Sequence, residues 1–237
     1  MKKHTGRIKA LLLGCICAVT SAFSAIPAMA DTIVPPIQGN TSSVSGTAPL
    51  VSGTAELNIP TLWVAGDSTA AAFNDTNYYS PRAGWGTQLG LYIQGVNIQN
   101  MAVSGTSSKT YADTDQYQTI LQNIKAGDYL MIGFGHNDER PELGRYTNPG
   151  GSPSVVGSFQ YYLFEKYIQP AKERGAIPIL VTPIVRRDLG NNYTGESGHI
   201  TETVTNEEGT FQGGNYAKAI KQLGVGKSVT VLDLTAR

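Results

Sequence analysis

The chain has 237 residues, with 18 Lys and Arg against 18 Asp and Glu and only two cysteines. Both cysteines, Cys15 and Cys17, and four of the basic residues fall within the first thirty positions. Beyond them 14 basic and 18 acidic residues remain, which excludes disulfides and cysteine chemistry there and argues against nucleic acid or an anionic membrane surface as partner.

The first thirty residues read as a secretory signal peptide. Lys2, Lys3, Arg7 and Lys9 form a basic stretch, an apolar run follows to about Phe23, and Ala28-Met29-Ala30 offers a small-x-small cleavage site. The apolar run is too short for a spanning helix. Leu12-Leu13-Gly14 before Cys15 resembles a lipoprotein signal, but little apolar sequence precedes it. Cleavage after Ala30 and a secreted, extracellular protein with no membrane attachment are therefore expected.

Residues 31–58 are rich in Ser, Thr, Gly and Pro and hold the tandem copies "VSGTAPL" and "VSGTAEL", the pattern of a flexible linker. A single domain is expected over residues 59–237, long enough to bury its own core.

In chain order, Thr61–Ala65 reads as a short apolar strand and Gly84–Ile93 as a helix. A second strand is read over Val96–Val103 and a helix over Tyr117–Lys125, ended by Gly127. "YLMIGF", Tyr129–Phe134, is a continuous apolar run, as for a strand buried on both faces. Val155, Phe159, Tyr162, Leu163 and Tyr167 recur on one helical face, with Pro170 expected to kink or end that helix. Ile177–Ile184 is a fourth strand, residues 185–212 a long polar loop, Tyr216, Ile220 and Leu223 mark a last helix, and Val229–Leu234 is a fifth strand. Alternating strands and helices imply right-handed βαβ units: an α/β, three-layer, doubly wound fold around a five-stranded parallel sheet. Ligands of such folds bind beyond the carboxyl ends of the strands.

Polar clusters stand at those ends: Gly66-Asp67-Ser68-Thr69, Ser104-Gly105-Thr106-Ser107-Ser108, Gly135-His136-Asn137-Asp138, and Thr182-Pro183 followed by Arg186-Arg187-Asp188. Acyl transfer needs a nucleophile and donors aimed at a developing oxyanion. Ser68 can offer a hydroxyl and its N–H, Gly105 a second N–H, and Asn137 a side-chain amide. The alternative for Ser68 is a plain helix cap, for Gly105 a turn, and for Asn137 or Asp138 a cap of the next helix.

These blocks in this order resemble the SGNH (GDSL-type) hydrolases. "GDSTAA", "GWG", "NMAVSGTSS", "GDYLMIGFGHND", "VTPIVRR" and "VLDL" are similar in finer detail to rhamnogalacturonan acetylesterases and related carbohydrate esterases, over about residues 60–237. The resemblance implies a flavodoxin-like sheet and Ser68 as nucleophile, with the Ser68 N–H, Gly105 and Asn137 as oxyanion donors. It implies no metal, no cofactor, and an acetylated polysaccharide as substrate.

The family's closing D-x-x-H, which carries the general base, does not occur after "VLDL" in residues 1–237. His136 and His199 are the histidines that follow Ala30. His136 reads as a supporting residue bonded to backbone, and His199, eleven positions after Asp188, as a loop histidine. The resemblance thus implies a C-terminally truncated esterase with weak or no activity. A non-catalytic carbohydrate-binding relative and a lipase or thioesterase of the same superfamily are the alternatives. Arg186 and Arg187 could meet a uronate carboxylate or pair with loop acids, while Trp85 reads as a packing aromatic.

Overall fold

A computed structural model describes residues 58–73, 82–185 and 202–235. The expected signal peptide, most of the expected linker, Arg186, Arg187, Asp188 and His199 lie outside the described residues.

Five parallel strands form the main sheet: β1 (Thr61–Gly66), β2 (Asn97–Asn100), β3 (Tyr129–Gly133), β4 (Ile177–Val181) and, last in the chain, β7 (Thr230–Leu232). Their order is β2-β1-β3-β4-β7, with every neighbouring pair parallel. The strand order reverses between β1 and β3, the point at which such sheets open a crevice. β1 is buried on both faces, which its unbroken apolar text requires. Its Trp63 and Ala65 join one core cluster, and Leu62 and Val64 join the other.

Among the described residues, four α-helical segments contribute to the first cluster. They are α1 (Asp115–Asn123), α2 (Phe159–Tyr162), α3 (Gln169–Glu173) and α4 (Tyr216–Lys227). Polar caps start three of them: Thr114, Ser158 and Asn215 each accept a hydrogen bond from a first-turn N–H. The opposite face is covered in part by Ala70, Trp85, Leu89 and Ile93. Beside them lies an apolar hollow of about 420 Å³ lined by Leu62, Met131, Ile179 and Leu232 among others.

Several expected elements take a different form. Gly84–Ile93 is not an α-helix but two short 3₁₀ turns, Trp85–Thr87 and Leu89–Leu91. Its three glycines disfavour a helix, and two of them are placed for close packing instead. The helix read from Val155 begins only at Phe159, where Ser158 caps it; Val155 and Val156 are 52% and 73% exposed. Pro170 does not end that helix. A π-helical turn, Leu163–Ile168, joins α2 to α3, and Pro170 is the second residue of α3. The Lys166 carbonyl, which in an α-helix would bond the N–H that Pro170 lacks, accepts from the Tyr117 hydroxyl at 2.6 Å. Within the expected long loop, β5 (Val204–Asn206) and β6 (Gly209–Phe211) form an antiparallel hairpin. β4 stops at Val181, short of Pro183, which cannot donate to the ladder.

Candidate active site

The turn after β1 is built by Asp67. Its buried carboxylate accepts from the Thr69 N–H at 2.8 Å and the Thr69 hydroxyl at 2.7 Å. Its carbonyl accepts from the N–H groups of Ala70 and Ala71, both at 3.1 Å. The capping role open to Ser68 from sequence is thus filled by its neighbour, and Ser68 is left half-buried. Among the described residues, neither the Ser68 hydroxyl nor its N–H has a hydrogen-bond partner.

Two other segments hold this turn from outside. Trp85 N–H donates to the Thr69 carbonyl at 2.8 Å, and Gly84 N–H donates to the Ala71 carbonyl at 2.9 Å. A methyl group on Gly84 would stand 2.3 Å from the Ala70 carbonyl carbon, so only glycine permits this approach. The Asn100 amide donates to the Ala70 carbonyl at 2.8 Å. Trp85 itself packs its ring on Gly133 of β3, the packing role read for it.

The loop after β2 turns at Gly105, whose φ of +87° lies in the left-handed region. Gly105 is exposed, and no atom lies within 4 Å of where its side chain would be. Its N–H has no acceptor among the described residues. The following residues are fixed from below. Ser108 donates its hydroxyl to Asp138 at 2.5 Å and its N–H to the same carboxyl at 3.1 Å. Thr147 adds a hydroxyl at 2.9 Å, and the Tyr167 hydroxyl donates to the Ser108 carbonyl at 2.6 Å. Asp138 is therefore a cross-link between two loops, not a helix cap. Burial pushes its carboxyl up to about 7, against the Ser108 and Thr147 hydrogen bonds, which favour the ionised form. Burial also raises the hydroxyls of Tyr167 and Tyr216, so both remain donors at neutral pH; Tyr216 bonds the carbonyls of Asp138 and Thr147.

Asn137, one residue before this cross-link, is buried and reaches the Gly105 loop directly. Its amide nitrogen donates to the Thr106 carbonyl at 2.9 Å. Its amide oxygen accepts from Arg145 Nη1 at 3.2 Å. His136 Nε2 lies 2.8 Å from the Ile184 carbonyl, the backbone-bonded state read for it.

Gly105 and Asn137 are thus joined through Thr106. Ser68 stands at the end of the adjacent strand, where Gly66 pairs with Gly133 and its carbonyl takes the Val103 N–H at 2.9 Å. Asn100, Arg145, Ser108 and Thr147 support these three and were not singled out from sequence. Asn100 and Ser108 lie inside quoted blocks, but nothing in their spacing marks a cross-strand bond. Arg145 and Thr147 stand in a loop with no periodicity.

The doubly wound parallel sheet thus carries Ser68, Gly105 and Asn137 on the loops after β1, β2 and β3, beside the point where its strand order reverses, an architecture of the α/β class. Residues 62–234 match the family of GDSL-like lipases and acylhydrolases, and the chain belongs to that family. The rhamnogalacturonan acetylesterase RhgT of Bacillus subtilis (strain 168) is 34% identical over 177 residues, covering 74% of this chain and 65% of the relative. The chain thus spans just under two thirds of that relative's length. A rhamnogalacturonan acetylesterase of Emericella nidulans is 38% identical over 97 residues, 41% of this chain and 34% of its own. The crystal structure of YxiM from Bacillus subtilis superposes with a TM-score of 0.54 at 29% identity, covering 74% of this chain and 44% of that one.

Proposed function

We propose that this chain is the core of a secreted carbohydrate esterase that removes O-acetyl groups from rhamnogalacturonan or a related acetylated polysaccharide. The observation that carries the reading is the set of groups left without hydrogen-bond partners among the described residues, on the loops after β1 and β2. These are the Ser68 hydroxyl and the N–H groups of Ser68 and Gly105, next to the Asn137 amide. The relatives' acetylesterase names supply the substrate class.

In this reading Ser68 Oγ attacks the acetyl carbonyl carbon, and the three donors hold the oxyanion. The bond to the sugar oxygen breaks, the acetyl group passes to Ser68, and water then releases acetate. The Ser68 proton needs a base. His136 is held at Nε2 by the Ile184 carbonyl and is not assigned that role.

The test is acetate release from acetylated rhamnogalacturonan, set against release from long-chain acyl esters. Acetate release that disappears in Ser68→Ala supports the reading. Preference for a long acyl chain would favour a lipase instead. Tight binding of the polysaccharide with no Ser68-dependent release at all would make the chain a binding protein.

A further inference from the structure

We infer that Arg145 is a positioning residue for the oxyanion site: it fixes which end of the Asn137 amide faces the substrate. An asparagine amide can rotate by half a turn and fill nearly the same space, but its two ends are opposite in function. The nitrogen donates to an oxyanion and the oxygen repels it. The structure shows one partner for each end. The Thr106 carbonyl, which can only accept, meets Nδ2 at 2.9 Å. The Arg145 guanidinium, which can only donate, meets Oδ1 at 3.2 Å. Rotation would set carbonyl against carbonyl and guanidinium against NH₂. One Nδ2 hydrogen is taken by Thr106, and the second is left for the oxyanion.

Arg145 is itself held. Glu142 takes its Nη2 at 2.6 Å and its Nε at 3.1 Å, a two-pronged pair on the same short turn. The Arg145 hydrogen bond holds the Glu142 carboxyl below its ordinary range, so the pair is charged at neutral pH. Arg145 side-chain exposure is 31%, which leaves the guanidinium anchored rather than free to follow a ligand. Its adjoining residues are pinned too: Tyr146 stacks edge-on against Phe211 of β6 and donates its hydroxyl to the Gln212 carbonyl at 2.8 Å.

The inference rests on the reading of Asn137 as an oxyanion donor, and two readouts separate the two. The first needs no turnover. The full chain carrying ¹⁵N-asparagine gives side-chain amide signals, and that of Asn137 is identified by its loss in Asn137→Ala. In Arg145→Met this pair of signals shifts and its hydrogens exchange faster with water. Arg145→Lys, which keeps the charge but not the fork, gives an intermediate result and covers the case in which Arg145→Met fails to fold. Unchanged Asn137 signals in a folded Arg145→Met protein overturn the inference.

The second readout is Ser68-dependent acetate release. Arg145→Met lowers kcat roughly tenfold with KM nearly unchanged, against about 10²-fold or more for removing the donor in Asn137→Ala. Arg145→Met added to Asn137→Ala costs nothing further, because there is no longer an amide to orient. An equal loss in both backgrounds overturns the inference. If Asn137→Ala leaves acetate release intact, the oxyanion reading fails while the amide signals still report the tether.

Discussion

The side chain of Asn100 joins two strand ends: its amide nitrogen donates to the Ala70 carbonyl at 2.8 Å and its oxygen accepts the Ala102 N–H at 3.2 Å. The turn that carries Ser68 is thereby tied to the start of the loop that carries Gly105. Asn100→Ala leaves two backbone groups without partners, and a loss of about 1–3 kcal/mol is expected from urea unfolding. Asn100→Asp is the sharper comparison, since a carboxylate in place of the NH₂ faces the Ala70 carbonyl. It should be at least as destabilised as the alanine variant, and a milder effect would mean that the amide bond contributes little.

Gly84 lies against the same turn. A methyl group there meets the Ala70 carbonyl carbon at 2.3 Å and the Ala71 nitrogen at 2.5 Å, both backbone atoms that cannot swing aside. Gly84→Ala should cost about 1–3 kcal/mol by overpacking and displace Ser68. Gly90→Ala, in the same segment but with open space around it, should stay within about 0.5 kcal/mol. Thermal unfolding of the two variants side by side decides the point.

Ser68 has no hydrogen-bond partner among the described residues, so its hydroxyl adds little to folding. Ser68→Ala is expected to unfold within about 0.5 kcal/mol of the parent protein while losing all acetate release above background. A marked drop in stability would show a structural hydroxyl instead of a reactive one.

Asp138 gives a pH dependence of defined sign. Its carboxyl is pushed by burial from 3.8 to about 7. Between those values the folded chain holds a proton that the unfolded chain releases. Its contribution is full below the unfolded value and is lost as pH rises through the folded one. Unfolding free energy should therefore fall between pH 4.5 and 6.5, by at most about 1.4 kcal/mol per pH unit, and level off above 7. Glu142 and Asp233 are held low by hydrogen bonds from Arg145 and Lys221. Their contributions are lost only as pH falls below roughly 4, outside this window. Urea titrations at pH 4.5, 5.5, 6.5 and 7.5 test it, and stability that rises across the series would show Asp138 to be ionised throughout.

The parallel sheet was legible because strands buried on both faces need continuous apolar text, as in "YLMIGF" and "IPILV". Ser68 and Asn137 stood out because they follow such strands, whereas Gly105 follows β2, whose "NIQN" text is polar and half exposed, and stood out by its Ser-Gly-Thr block. What escaped depends on side chains meeting across the fold. No spacing announces that Asn100 will reach Ala70 across thirty positions, or that Arg145 will turn back to Asn137. The stripe beginning at Val155 was regular enough to suggest one straight helix. It fails because Ser158 is a strong cap, and because the π-helical turn of Leu163–Ile168 changes the period within it. The segment from Gly84 has apolar residues at helical spacing, but Gly84 and Gly86 serve contact with the Ser68 turn.

That π-helical turn amounts to one extra residue threaded into an otherwise ordinary helix. Removing a single residue between Leu163 and Ile168 would restore the regular winding and change the direction of the side chains inside that turn, while the helix on either side keeps its phase. Tyr167 would leave the ring cluster it forms with Tyr111, Tyr117 and Phe134 and release its 2.6 Å grip on the Ser108 carbonyl. A local shortening far from the chemistry would thus loosen the cradle itself, and the alignment of the Gly105 loop is, in this sense, stored as a count of residues in a distant helix.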